Sequence, residues 1–95
     1  MGIMRLTGQL ICTSAAQMRQ VVTHLQDHVT LTRAEPGCLH FDVSPTPDPL
    51  IWQVDEAFAD HEAFAAHQSR TAASVWASAT SDIRREFRQT EDTPA

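Results

Sequence analysis

The stretch Glu35-Pro36-Gly37-Cys38-Leu39-His40-Phe41-Asp42-Val43 constrains this chain more than any other. Proline cannot continue a helix and turns the residue before it away from helical backbone. Glycine beside it supplies the freedom a tight turn needs. Leu39, Phe41 and Val43 then alternate with His40 and Asp42, the period of a half-buried strand. A helix must stop at Pro36-Gly37 and a strand must start directly after it.

The rest of the chain falls into place around that junction. Over residues 3–12, Met4, Leu6, Gly8, Leu10 and Cys12 share one face and Arg5, Thr7 and Gln9 the other, which predicts a first strand. Ser14 with Gln17 has the spacing of a capping box, and Met18, Val21, Val22, Leu25 and Val29 recur at helical spacing to about Arg33. Pro45-Thr46-Pro47-Asp48-Pro49 cannot hold a ladder and reads as a rigid loop. Leu50, Trp52 and Val54 alternate with Ile51, Gln53 and Asp55 in a third strand. Asp60 is placed to cap a second helix carrying Phe64 and His67, continued after a kink over Ser69 to Ala79 with Val75 and Trp76 facing inward. Ile83, Arg85 and Phe87 alternate with Arg84, Glu86 and Arg88 in a fourth strand, and residues 90–95 read as a disordered tail.

The order β-α-β-β-α-β is the ferredoxin-like α+β pattern, an antiparallel four-stranded sheet with two helices on one face. Its open face would carry Arg5, Thr7, Gln9, His40, Asp42, Gln53, Asp55, Arg84 and Glu86. That surface is polar enough for solvent or for charge pairing with a second copy.

Length and charge narrow the function. Ninety-five residues suit one domain, 1–95, with its core at 3–89. The net charge is -5 and every basic residue is arginine, without a basic cluster, which argues against nucleic acid and anionic membranes as partners. No apolar run is long enough to span a bilayer. Met1-Gly2-Ile3-Met4-Arg5 lacks the apolar core of a signal peptide, so a cytoplasmic location is expected. Cys12 and Cys38 lack a Cys-x-x-Cys spacing and read as small buried hydrophobes.

Most candidate chemistry fails on spacing. His24 and His28 are i, i+4, but they fall on the expected polar side of the first helix and read as solvated rather than metal-binding. His61 and His67 point to different sides of the second helix. Three glycines without a Gly-x-Gly arrangement build no phosphate loop, so a nucleotide cofactor is not expected. Asp55 and Glu56 point to opposite faces of a strand and form no carboxylate pair. Arg84, Arg85 and Arg88 read as strand-edge or dimer salt-bridge residues. His67 stands apart. It follows Phe64 by three positions and so shares an inward face, with Trp52, Val54 and Trp76 as neighbours. A histidine in an aromatic pocket can serve as a general base near neutral pH, and a core histidine satisfied by a backbone carbonyl is the plainer alternative.

Glu35-Pro36-Gly37-Cys38-Leu39, the strand Trp52-Gln53-Val54-Asp55-Glu56, Asp60 with Phe64, and Ala66-His67 together resemble the antibiotic biosynthesis monooxygenase-like family of the dimeric α/β-barrel group. The resemblance covers about residues 3–89. It implies a homodimer paired through the open sheet faces, and a cofactor-independent oxidation of a quinol or polyphenol by molecular oxygen. Gly8 stands where haem-degrading members carry Asn, and His67 where they carry Trp, so haem degradation is not implied. Val54, Phe58 and Phe64 stand where anthrone-oxidising members carry Asn, Trp and Tyr. Ala72 stands where many quinol-oxidising members carry a second histidine. The expectation is therefore a monooxygenase acting on a small electron-rich aromatic, with His67 catalytic and Trp52, Val54, Phe58, Phe64 and Trp76 forming the substrate slot, and with no cofactor or metal. A non-catalytic dimeric small-molecule-binding protein, or an isomerase or lyase using the same pocket, remains open.

Overall fold

The expected alternation does become a sheet. In the computed structural model, which describes residues 2–92, the order is β1 (Ile3–Ile11), α1 (Ala15–Arg33), β2 (Cys38–Pro45), β3 (Ile51–Phe58), α2 (His61–Ala72), α3 (Val75–Ala79) and β4 (Arg84–Asp92). The strands pair antiparallel in the order β2-β3-β1-β4, the ferredoxin-like arrangement. Among the described residues, no helix is long and apolar enough to cross a membrane.

The inward face of the sheet and the helices share two apolar clusters. Leu10, Cys12, Val21, Val54, Trp76 and Ile83 form one; Met4, Leu6, Phe58 and Phe64 form the other. The opposite face is polar. There the Thr7 hydroxyl donates to the Asp55 carboxylate at 2.8 Å, and Arg5 pairs with Asp92. Asp42 and Asp55 stand directly opposite each other on β2 and β3. Like charges at such a position repel.

Local chemistry sets the helix ends. Ser14 accepts from the Gln17 amide at 3.2 Å, and the Gln17 side chain accepts from Thr13 N–H at 2.8 Å, one residue earlier than the capping box requires. Asp60 caps α2 by accepting from Ala63 N–H at 2.8 Å. At the other junction, Gly37 adopts φ 87° and packs against α2, and its carbonyl accepts from Ala59 N–H at 2.8 Å. The turn that ends α1 is thereby docked on the start of α2.

Six expectations need correction. On α1 the buried residues are Val21, His28 and Thr32, whereas Val22 is exposed. The buried arc follows i, i+7 and i+11 from Val21, and this carries His28 into the core rather than into solvent. On β2 the register shifts between Cys38 and His40, a bulge that turns Leu39 outward. The second helical region is broken rather than kinked: α2 ends at Ala72, and Ser74 caps a new five-residue helix, α3. That restart buries Trp76 and leaves Val75 exposed. Finally, residues 90–92 belong to β4, which pairs with β1 as far as Asp92 opposite Ile3. The remainder of the expected tail, 93–95, lies outside the described residues.

Candidate active site

Helix α2 presents Phe64 and His67 to the core, three residues apart on one face. His67 is only 2% exposed, and Phe58 lies against its ring with centroids 4.7 Å apart. Its Nδ1 lies 2.9 Å from Glu35 Oε1. Glu35 sits in the turn that stops α1, so the junction that shapes the fold also delivers a carboxylate to the imidazole. Arg70, one turn after His67, holds that carboxylate in place. It donates to Glu35 Oε1 from Nη2 at 2.9 Å and from Nε at 3.1 Å, and to Thr32 Oγ1 at 2.9 Å.

A carboxylate can only accept at Nδ1, so Nδ1 carries a proton, and whenever the ring is neutral its lone pair is on Nε2. That nitrogen faces two groups. Thr71 Oγ1 is 3.4 Å away and Glu56 Oε1 is 3.6 Å away. Glu56 projects inward from β3, opposite Leu6 of β1 and Phe41 of β2. Burial, and then the charge of Glu35, push its carboxyl up to about 7.

His28 forms another wall. It is 5% exposed, stacks on Trp76 at 4.7 Å with rings 2° from parallel, and meets Phe41 edge-on at 5.3 Å. Burial, followed by repulsion from His67 when that ring is protonated and from Arg70 and Arg85, lowers its pKa to about 3, so it is a neutral ring at physiological pH. Its Nδ1 is buried without a hydrogen-bond partner.

His28, Glu56, His67 and Trp76, with Leu10, Val54 and Arg85, line part of a cavity of about 230 Å³. Of the residues expected at the site, Val54, His67 and Trp76 line it. Phe58 and Phe64 instead fill the core with Met4 and Leu6, Phe58 acting as a floor under the imidazole. Trp52 packs partly buried against the Leu10 and Val54 cluster, outside the cavity. Reasoning on the sequence overlooked Glu56 and His28 as cavity residues, and Glu35 and Arg70 as partners of His67. Glu56 was signalled by strand parity, since it shares the inward face with Val54 and Phe58. Arg70 follows His67 by three positions on the same helix face. Among the described residues no group of three His, Cys, Asp or Glu side chains is placed to hold a metal ion.

Comparison with known proteins agrees with this architecture. The sequence profile of the antibiotic biosynthesis monooxygenase family matches residues 10–81. No curated protein matches the chain by sequence. Among solved structures, SnoaB, a cofactor-independent oxygenase from Streptomyces nogalater, superposes with a TM-score of 0.80 at 11% identity, covering 100% of this chain and 97% of its own. A candidate antibiotic biosynthesis monooxygenase from Deinococcus radiodurans gives 0.80 at 21% identity, covering 98% and 94%. PA3566 from Pseudomonas aeruginosa gives 0.76 at 19% identity, covering 99% and 97%. At these identities the likeness is one of fold.

Proposed function

This chain belongs to the antibiotic biosynthesis monooxygenase family, and from that premise we propose that it is a cofactor-independent monooxygenase acting on a small electron-rich phenol, of quinol or polyphenol type. The observation that carries this reading is the bond between Glu35 and His67 Nδ1, which leaves Nε2 basic and directed at a cavity of partly aromatic lining.

The chemistry asks little more of the protein. Ground-state dioxygen has two unpaired electrons and reacts slowly with closed-shell molecules unless they give up one electron readily. A phenolate does so far more readily than a phenol. His67 takes the phenol proton, and the resulting imidazolium is stabilised by Glu35. The substrate then passes an electron to oxygen and the radical pair recombines at a ring carbon as a peroxide, which takes back the proton held by His67; loss of water, carrying off the hydrogen of that carbon, leaves one oxygen atom on the substrate as a quinone carbonyl. A cavity of about 230 Å³ is larger than the roughly 150 Å³ space that holds a benzene ring. One substituted ring fits it.

The same premise supports a homodimer. The open sheet face carries the opposed Asp42 and Asp55 and also Arg88, while Arg5 and Arg84 there pair with Asp92 and Glu86 of the same chain, so a second copy can supply opposite charges to the two aspartates and to Arg88. Sedimentation showing only the single-chain mass at micromolar concentration would remove the dimer.

The decisive experiment is oxygen uptake by metal-stripped protein across a panel of dihydroquinones and anthrones, with His67→Ala as control. Uptake above autoxidation that falls about 10²-fold in the variant supports the oxygenase. A ligand that quenches tryptophan fluorescence but is not consumed identifies a binding protein instead. Conversion without oxygen identifies an isomerase or lyase.

A further inference from the structure

One carboxyl in the cavity has no partner of its own. Glu56 is 8% exposed and its Oε1 makes no hydrogen bond. A buried polar atom left unpaired costs free energy unless something else satisfies it. Its position relative to His67 indicates what that is. Oε1 and Nε2 are 3.6 Å apart, too far to bond each other. A single oxygen atom between them can lie within hydrogen-bond reach of both.

We propose that Glu56 is a second catalytic residue: its carboxyl proton and the Nε2 lone pair of His67 together clamp one hydroxyl of a phenolic substrate. His67 removes the hydroxyl proton, and Glu56 donates a hydrogen bond to the phenolate oxygen left behind. In this step one O–H bond breaks and one N–H bond forms. No electrons change hands and Glu56 keeps its own proton. The assignment rests on the reading of the cavity as a phenol site and says which groups hold the reacting oxygen.

The surroundings favour a protonated Glu56. Leu6 and Phe41 flank it across the sheet. His67 on α2, His28 on α1 and Arg85 on β4 share its cavity, and the charge of Glu35 reaches it from the far side of the imidazole. Burial with a nearby carboxylate holds a proton on such a group, and a neutral carboxylic acid in a dry site is an effective donor to an oxyanion. An ionised Glu56 would repel the phenolate instead.

The test is anaerobic binding of 4-nitrophenol, whose anion absorbs visible light, at a pH below the ligand's own ionisation. The wild-type protein should bind it with the phenolate band appearing. Glu56→Leu should weaken that binding about 10- to 100-fold, the loss expected for a hydrogen bond to a charged group. Glu56→Gln, whose amide still donates, should lose less than tenfold, and circular dichroism would confirm that both variants fold. The clamp is overturned if nitrophenol fails to bind or stays neutral when bound, if Glu56→Leu binds like the wild type, or if Glu56→Gln loses as much as Glu56→Leu. No turnover is needed. Absent oxygen uptake with an intact clamp would strike only the oxygenase reading, and uptake without the clamp would strike only the role of Glu56.

Discussion

Glu35 and His67 are 32 positions apart in sequence and 2.9 Å apart in space. The carboxylate is borne on the turn that terminates α1, the imidazole on the inward face of α2, and Gly37 packed on Ala63 brings the two together. Arg70 then anchors the carboxylate through two donors at 2.9 and 3.1 Å. A histidine held this way has one tautomer and one orientation.

Removing the charge on Glu35 should therefore act through His67. We expect Glu35→Gln to lower turnover about 10²-fold with little change in KM. Nitrogen NMR of the imidazole checks the cause, because the variant should show a mixture of tautomers where the wild type shows one. A single tautomer in a slow variant would mean that Glu35 acts in some other way.

Glu56 should make stability depend on pH. Its pKa rises from 4.5 to about 7 on folding, so the native state holds the proton more tightly than the unfolded chain. That contribution is complete below about pH 4.5 and is lost as pH rises to about 7, a difference of about 3 kcal/mol. Urea unfolding of the wild type and of Glu56→Gln at several pH values measures it. The wild type should lose stability relative to the variant between those limits and run parallel above them.

His28 should act in the opposite sense. Its pKa falls from 6.5 to about 3 on folding, so the native state resists protonation that the unfolded chain accepts. The corresponding stability is present above about pH 6.5 and is lost as pH falls toward 3. His28→Phe retains a ring to stack on Trp76 and cannot titrate. Acid titration followed by circular dichroism should show its unfolding midpoint shifted to lower pH than the wild type.

Gly37 ties fold to site. At φ 87°, an added Cβ would lie 2.6 Å from Ala63 Cβ. Gly37→Ala should cost about 1–3 kcal/mol in stability. It should also displace Glu35 and slow turnover. Combining it with Ala63→Gly removes the clash but not the backbone strain, so thermal unfolding of the pair should show partial recovery.

Much of the fold was legible because its signals are local. Alternation in Met4-Leu6-Leu10, the Asp60 cap and the Pro36-Gly37 stop each depend on neighbours within one element, and together they dictate the order β-α-β-β-α-β. The errors fell where a distant partner decides. Leu39 turns outward because β2 bulges against β3, and residues 90–92 extend β4 because β1 offers them a ladder. Their own polarity gives no hint of pairing.

The same division runs through the site. Helical spacing from Phe64 is enough to turn His67 inward. What surrounds it comes from elements far away along the chain. Glu35 arrives from a turn, Glu56 from the middle of the sheet and His28 from α1, and none of these placements is encoded within a window shorter than the fold. Periodicity reports which way a side chain faces. Which charges meet, and how far burial moves their protons, depends on the packing of elements remote in sequence.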